Sequence, residues 1–345
     1  MKALGLMSGT SLDGIDAAII DTDGERVLSF GPALTIPYAD DFRERLRNVL
    51  AGGESAMVER ELTLLHAEAV KRLPYKDVEL VGFHGHTVEH RPADGVTRQI
   101  GDGALLAKEI GIPAVGDFRS NDVAAGGEGA PLAPLFHAAL ARNLEKPLVV
   151  LNIGGVANVT WMGTGGELSA FDAGPGNALI DDRLLKTTGR PMDKDGALAR
   201  SGKTDEMIVA GLLAHPYFNK PPPKSLDRND FNADEIARLS PADGAATLTA
   251  FTVQAIAAAV KHLPAPPKRW LVCGGGRRNK FMMDSLNEAL GGNVEAVEAE
   301  GWNGDALEAQ AFAYLAVRSL MGLPLSLPAT TGVGKPTTGG VLHRP

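Results

Sequence analysis

Three hydroxyls, Ser8, Thr10 and Ser11, fall within the first sixteen residues beside glycines at 9 and 14 and carboxylates at Asp13 and Asp16. Hydroxyls and bare backbone N–H groups suit a phosphate, and nearby carboxylates suit the Mg2+ ion that accompanies it. A hairpin turn that needs glycine and side-chain-to-backbone hydrogen bonds uses the same residue types. A second small-residue run stands at Asn152-Ile-Gly-Gly-Val-Ala-Asn158, and a third at Gly274-Gly-Gly276. Two facing glycine turns would grip a polyphosphate from both sides, and three glycines after a strand would let a flat base such as adenine lie on bare backbone. Duplication without a ligand, and an ordinary tight turn, account for the same patterns.

Other candidates carry acid, base or charge. Asp172 ends an apolar run just before Ala-Gly-Pro-Gly-Asn-Ala178, which places its carboxylate at the mouth of a sheet or makes it a helix N-cap. The histidines at 84, 86 and 90 lack the spacing of a helical or knuckle zinc site and have no cysteine cluster beside them, so a loop histidine or a substrate contact is the better reading. Lys224 reads as a substrate contact or a solvated charge, and Glu308, in the first turn of an apolar helix, as a partner of the helix dipole.

Positioning these groups requires a layered α/β chain. Apolar runs at 3–7, 15–20 and 26–30, broken by the polar turn and by Thr22-Asp-Gly24, predict an antiparallel meander. Helical spacing over 40–73 is interrupted at Gly52-Gly53, and 78–83 reads as a buried strand running into a polar loop that holds the histidines. A helix over 101–111, a strand to Asp117, a glycine-rich loop over 121–131 and a helix over 134–143 complete the first half. From Pro147 the order of strand, glycine turn, strand, glycine turn, strand returns, then a helix over 179–188, a polar, proline-rich stretch over 190–245 and a helix over 248–263. A strand over 269–273, helices over 279–290 and 305–317, and a returning tail follow.

A chain of 345 residues is comfortable for two domains of about 150 residues with a cleft between them. A net charge of -8 with no long basic run argues against nucleic acid or an anionic membrane as main partner. The single cysteine, Cys273, excludes an intrachain disulfide. Residues 1–20 lack a basic segment followed by an apolar core, and no run of 18 apolar residues occurs, so the expected location is cytoplasmic.

Taken together, Gly5-Leu-Met-Ser-Gly-Thr-Ser-Leu-Asp-Gly-Ile-Asp16, His84-Gly-His-Thr87, Gly116-Asp-Phe-Arg119, Asn152-Ile-Gly-Gly-Val-Ala-Asn-Val-Thr160, Phe171-Asp-Ala-Gly-Pro-Gly-Asn177 and Cys273-Gly-Gly-Gly276 resemble the anhydro-N-acetylmuramic acid kinase family, with the motifs in family order over nearly the whole chain. The resemblance implies the two-lobed actin-like ATPase fold of the sugar kinase, Hsp70 and actin superfamily, with duplicated mixed sheets. It implies lobes of 1–120 with about 323–345, and of 121–322, the second carrying the second phosphate turn, the base and the adenosine loop. The activity implied is an ATP- and Mg2+-dependent kinase that hydrolyses the 1,6-anhydro ring of its amino sugar and phosphorylates O6, in peptidoglycan recycling. Carried over residue by residue, Gly9, Thr10, Ser11, Leu12, Asp13, Gly14, Ile15 and Asp16 form the nucleotide loop. Asn152, Gly154, Gly155 and Asn158 form the second phosphate grip, and Gly274, Gly275 and Gly276 lie by adenosine. Asp172 is the general base, His86, Arg119 and Glu308 contact the sugar, and Asp13 and Asp16 serve the metal directly or through water. A homodimer is also implied. The chain departs from the family's usual Gln at His86, usual Thr at Ala173 and usual Lys-Ser-Thr-Gly-Arg run at 224–228. On this reading Ala173 loses a hydroxyl near the base.

Overall fold

Polar turns after short apolar runs fold the amino-terminal segment back on itself twice, as the computed structural model shows. Strand β1 (Lys2–Ser8) pairs antiparallel with β2 (Gly14–Thr22), and β2 with β3 (Val27–Pro37). The structure describes residues 1–9, 12–226, 230–231 and 233–345, so Thr10 and Ser11, and residues 227–228 of the Lys224 run, lie outside the described residues. Two compact units are present, Met1–Asn143 with Asp305–Pro345, and Leu144–Gly304. These bounds correct the expected lobes, because 121–143 and 305–322 belong to the first unit.

In the first unit, alternation puts Leu4, Leu6, Ile15, Ala17 and Ile19 on one face of the sheet, where they pack with Phe42, Leu46, Leu62, Val70 and Leu106 of the helices Asp40–Leu50, Ala56–Lys71 and Gly103–Ile110. The other face is set by two glycines. A Cβ on Gly5 would lie 1.7 Å from the Ala309 carbonyl oxygen, and one on Gly82 would lie 2.1 Å from that of Phe312. The helix Leu307–Leu320 therefore rests directly on strand backbone, which is why its segment joins this unit. Strand β4 (Leu80–Arg91) runs parallel to β1, β5 (Val96–Ile100) is antiparallel to β4, and β6 (Ala114–Gly116) is parallel to β4. The histidine stretch expected as a loop is strand, because β5 supplies its pairing partner from His86↔Ile100 to Arg91↔Val96. The tail returns as the strand Val341–His343, antiparallel to β6.

The second unit repeats the plan. Strands β7 (Leu148–Ile153), β8 (Val156–Met162) and β9 (Leu168–Pro175) form an antiparallel meander, while β10 (Arg269–Cys273) runs parallel to β7 and β11 (Val294–Ala296) parallel to β10. The order β11-β10-β7-β8-β9 matches β6-β4-β1-β2-β3 strand for strand. Val149, Leu151, Val159 and Phe171 are buried on this sheet, and Leu248, Phe251 and Ile256 of the helix Pro241–Ala259 are buried too. Ser240 caps that helix by accepting from the Asp243 N–H at 3.1 Å, and Pro241 fits its first turn, where a missing N–H costs nothing. With its 3-10 extension to His262 the helix is long and apolar enough to cross a membrane, yet most of it is buried inside the unit.

Candidate active site

In the first unit, the β1–β2 turn is tied by Leu12 N–H to the Gly9 carbonyl at 3.1 Å, with Leu12 held at φ 62°. Such a φ is costly for a branched side chain, and the turn keeps it because Arg43 Nε donates to the Leu12 carbonyl at 3.0 Å and Tyr38 N–H to that of Asp13 at 3.1 Å. Asp13 is exposed, and Asp16 accepts from the Thr35 hydroxyl at 2.5 Å. Gly14 has a packing reason of its own, since a Cβ there would lie 2.2 Å from the Ile36 carbonyl oxygen, and the Ile15 side chain is core. Any ligand contact at these two residues must use backbone. Ser8 is turned inward: Tyr38 OH donates to its Oγ at 2.7 Å, and Oγ meets His86 Nδ1 at 2.9 Å.

His86 is fully buried, and its Nε2 has no hydrogen-bond partner among the described residues, an orphan of the sort that a ligand or water satisfies. Burial pulls its pKa down to about 4. Its neighbour His84 plays a part that sequence reasoning missed. A carbonyl only accepts, so His84 Nδ1 donates to the Gly85 carbonyl at 3.0 Å, and Nε2 is the lone pair that receives Arg119 Nε at 3.0 Å. Burial first, then the Arg119 charge, keeps His84 neutral, with its pKa well below the ordinary value. Arg119 Nη1 also donates to the Gly129 carbonyl at 2.7 Å, so the glycine-rich loop helps aim the guanidinium. Asp117, two residues earlier, takes φ 51° and accepts from the Ser120 hydroxyl. Glu308 is exposed in the first turn of its helix.

In the second unit, the register puts Asn152 opposite Asn158 and Asn158 opposite Asp172, so one row across β7, β8 and β9 carries two amides and a carboxylate. Asp172 lies inside β9 rather than at its end, because the strand continues to Pro175. Its N–H donates to the Lys224 carbonyl at 3.0 Å, its Oδ2 accepts from Leu226 N–H at 2.8 Å, and its carbonyl accepts from Tyr217 OH at 2.7 Å. Ala173 points the opposite way, into the core, as adjacent strand residues must. The expectation that Ala173 removes a hydroxyl from beside the base is corrected accordingly.

The glycines at 154–155 are locked by the next segment. Asn177 N–H donates to the Gly154 carbonyl at 2.8 Å, Gly176 N–H to that of Gly155 at 2.9 Å, and Asn177 Nδ2 to that of Ile153 at 3.2 Å. Within the 274–276 run the three glycines differ. Gly274 combines φ 73° with a Cβ position 2.3 Å from Asn152 Oδ1, and a Cβ on Gly276 would lie 2.4 Å from Ile153 Cγ2, whereas Gly275 meets only Asn177 Nδ2 at 3.7 Å. Two of them are demanded by neighbouring protein, and Gly275 is the one with room for something else. Of the two sequence readings of Lys224, its 2% exposure excludes the solvated charge. Its Nζ donates to the Tyr217 carbonyl at 3.1 Å and lies 4.5 Å from the Tyr217 ring centre.

Among the described residues, no group of three or more His, Cys, Asp or Glu side chains could hold a metal alone. Asp13 and Asp16 still fit Mg2+, which takes one or two carboxylates together with nucleotide phosphates and water.

The family model for anhydro-N-acetylmuramic acid kinase matches residues 1–345. A relative of that name from Paramagnetospirillum magneticum is 58% identical, with 100% of each chain covered, and one from Rhodospirillum rubrum is 55% identical over 98% of this chain and 93% of its own. Among solved structures, the chain is similar to a ROK family glucokinase from Streptomyces griseus in complex with glucose and AMPPNP, at 15% identity and TM-score 0.42, covering 92% of this chain and 99% of that one. It is also similar to the activator of a 2-hydroxyisocaproyl-CoA dehydratase from Clostridium difficile with bound ADPNP, at 11% identity and TM-score 0.45, covering 93% and 97%. Likeness at that level says nothing of what this chain binds. Identity above one half over full length is decisive, and the chain belongs to the anhydro-N-acetylmuramic acid kinase family.

Proposed function

We propose that this kinase opens the 1,6-anhydro ring of 1,6-anhydro-N-acetylmuramic acid with water and transfers the ATP γ-phosphoryl group to O6, giving N-acetylmuramic acid 6-phosphate and ADP. Asp172 is the general base. It accepts a proton from the water that attacks C1, the C1–O6 bond breaks, and the released O6 attacks phosphorus. One base suffices, because phosphoryl transfer mostly needs positioning and charge neutralisation. The observation that carries this reading is the setting of Asp172: largely buried, in one row with Asn152 and Asn158, and fixed through N–H, carbonyl and Oδ2 at once.

Residues 9–16 are phosphate-binding, Gly14 and Ile15 through backbone. Asn152, Gly154, Gly155 and Asn158 are phosphate-binding too, and Gly275 offers the open backbone in the adenosine run. Asp13 and Asp16 would hold Mg2+, directly or through water, and the ion would supply charge neutralisation for the transferred group. Arg119 pairs with the lactyl carboxylate of the sugar, His86 offers its unsatisfied Nε2 to it, and Glu308 accepts from a sugar hydroxyl. The acidic chain, with no long basic run, fits small-molecule substrates in the cytoplasm of the cell, and a homodimer is the expected assembly.

Reaction with ATP and the anhydro sugar in 18O-labelled water tests the proposal. The expected product is a 6-phosphosugar carrying one heavy oxygen at C1, read by mass before spontaneous anomeric exchange, which a parallel incubation of unlabelled product measures. A phosphorylated product without solvent oxygen would mean an ordinary sugar kinase, and ATP hydrolysis independent of sugar a nucleotide switch.

A further inference from the structure

A closed circuit of bonds joins Asp172 to a segment that no catalytic assignment reaches. Tyr217 OH donates to the Asp172 carbonyl at 2.7 Å, Lys224 Nζ donates to the Tyr217 carbonyl at 3.1 Å, the Lys224 carbonyl accepts from Asp172 N–H at 3.0 Å, and Leu226 N–H reaches Asp172 Oδ2 at 2.8 Å. The Lys224 ammonium closes the circuit while lying 4.5 Å from the Tyr217 ring centre and 5.7 Å from that of Phe171. An ammonium so enclosed has left water for one carbonyl and two ring faces, a costly exchange that an aliphatic side chain would avoid. We propose that Lys224 and Tyr217 are positioning residues for the reaction, a frame that fixes the backbone and one carboxylate oxygen of Asp172 so that its remaining basicity is aimed at the attacking water.

Two physical effects follow from the frame. The first is geometric: Asp172 is anchored on both sides by residues 45 and 54 positions away, so its direction depends on whether 217–226 stays folded against β9. The second is electrostatic. Burial lowers the Lys224 pKa to about 8, Lys261 and Lys220 push the same way, and Asp172 opposes them, so the cation and the carboxylate act on one another.

This inference rests on Asp172 being the base, and a double-mutant cycle separates the two claims. Turnover is measured for Lys224→Met, Asp172→Asn and the double variant, with folding followed by circular dichroism. Asp172→Asn should lose roughly 100- to 10,000-fold in kcat, the range of general base catalysis. Lys224→Met should lose about 10- to 100-fold in kcat, with KM for ATP within about twofold of wild type, and should cost nothing further, within about twofold, over Asp172→Asn. An unimpaired Lys224→Met, or one costing the same factor in both backgrounds, overturns the positioning role and leaves the base intact. Near-wild-type Asp172→Asn instead overturns the base, and the frame with it. Should Lys224→Met fail to fold, Tyr217→Phe deletes a single hydroxyl and undergoes the same cycle, with about tenfold lower kcat expected alone and no added loss over Asp172→Asn; full activity of Tyr217→Phe overturns the frame.

Discussion

Arg119 can serve a carboxylate only when its guanidinium is aimed, and two acceptors aim it. The lone pair of His84 and the Gly129 carbonyl take one N–H each, at 3.0 and 2.7 Å. The His84 contact needs the tautomer that the Gly85 carbonyl enforces, which ties the guanidinium to the backbone of β4 through a neutral ring. A lysine reaching the same place would bring one charge centre without the planar fork that presents several N–H groups in fixed directions. Arg119→Lys should therefore raise KM for the anhydro sugar by about tenfold or more, the worth of one lost charge-assisted pair, while KM for ATP stays put. A sugar without the lactyl group gives the internal control, since it should not distinguish the variant from wild type. Equal effects on both sugars would remove Arg119 from the carboxylate.

Helix placement in the first unit depends on what two strand residues lack. The helix that carries Glu308 lies so close to β1 and β4 that a methyl group on Gly5 or Gly82 would overlap main-chain oxygen, which cannot rotate aside as a side chain can. Gly5→Ala should cost about 3 kcal/mol or more of stability, the upper range of overpacking, visible as a lower urea midpoint, and should raise KM for the sugar as Glu308 shifts. Gly211→Ala makes the contrast: it is exposed in the helix Glu206–Leu213 with nothing near its Cβ position, so the same change should stabilise by roughly 0.5–1 kcal/mol. If both variants destabilise alike, close packing is not what Gly5 provides. These contrasts also mark what could be read from sequence. The two meanders were legible because turn glycines interrupt short apolar runs; Asp172 stood out as a carboxylate before Ala-Gly-Pro-Gly, but its place inside β9 rather than at a strand end was not legible. The reach of β4 through Arg91 was not, since the histidine run is strand only by virtue of β5. Tyr217 and Lys224 were not either, because the fold alone brings them to Asp172 across 45 or more residues of chain. Gly14 reads locally as a ligand-friendly turn residue and Gly5 as part of an apolar strand, and only tertiary packing reveals the backbone that each must admit.

Histidine burial divides the molecule as clearly as the chain's two compact units do. The buried histidines, His66, His84, His86 and His137, all lie in the unit Met1–Asn143 with Asp305–Pro345. Burial holds the pKa of His66, His86 and His137 down to about 4, against 6.5 for the ordinary ring. Well above pH 6.5 folded and unfolded chains both carry these rings neutral, and their protonation adds no pH dependence to stability. As pH falls from 6.5 to about 4 the unfolded chain takes up protons that the folded unit refuses, so stability drops; below about 4 both states are protonated and the loss levels off. At pH 5 the cost is about 2 kcal/mol for each of the three rings, since one pKa unit is worth about 1.4 kcal/mol. Against a stability of roughly 5–15 kcal/mol for a whole domain, that is a large share, and it falls on the first unit. Hydrogen exchange read peptide by peptide at pH 7 and pH 5, corrected for the intrinsic exchange rate, should show protection falling in β1, β4 and the helix Ala56–Lys71 before it falls in β7, β8 and β10. His66→Leu, which removes one buried ring at no cost in charge, should shrink the gap between the two pH values. Equal loss of protection in both units, or first loss in the second, would mean that carboxylates rather than buried imidazoles govern the acid limit.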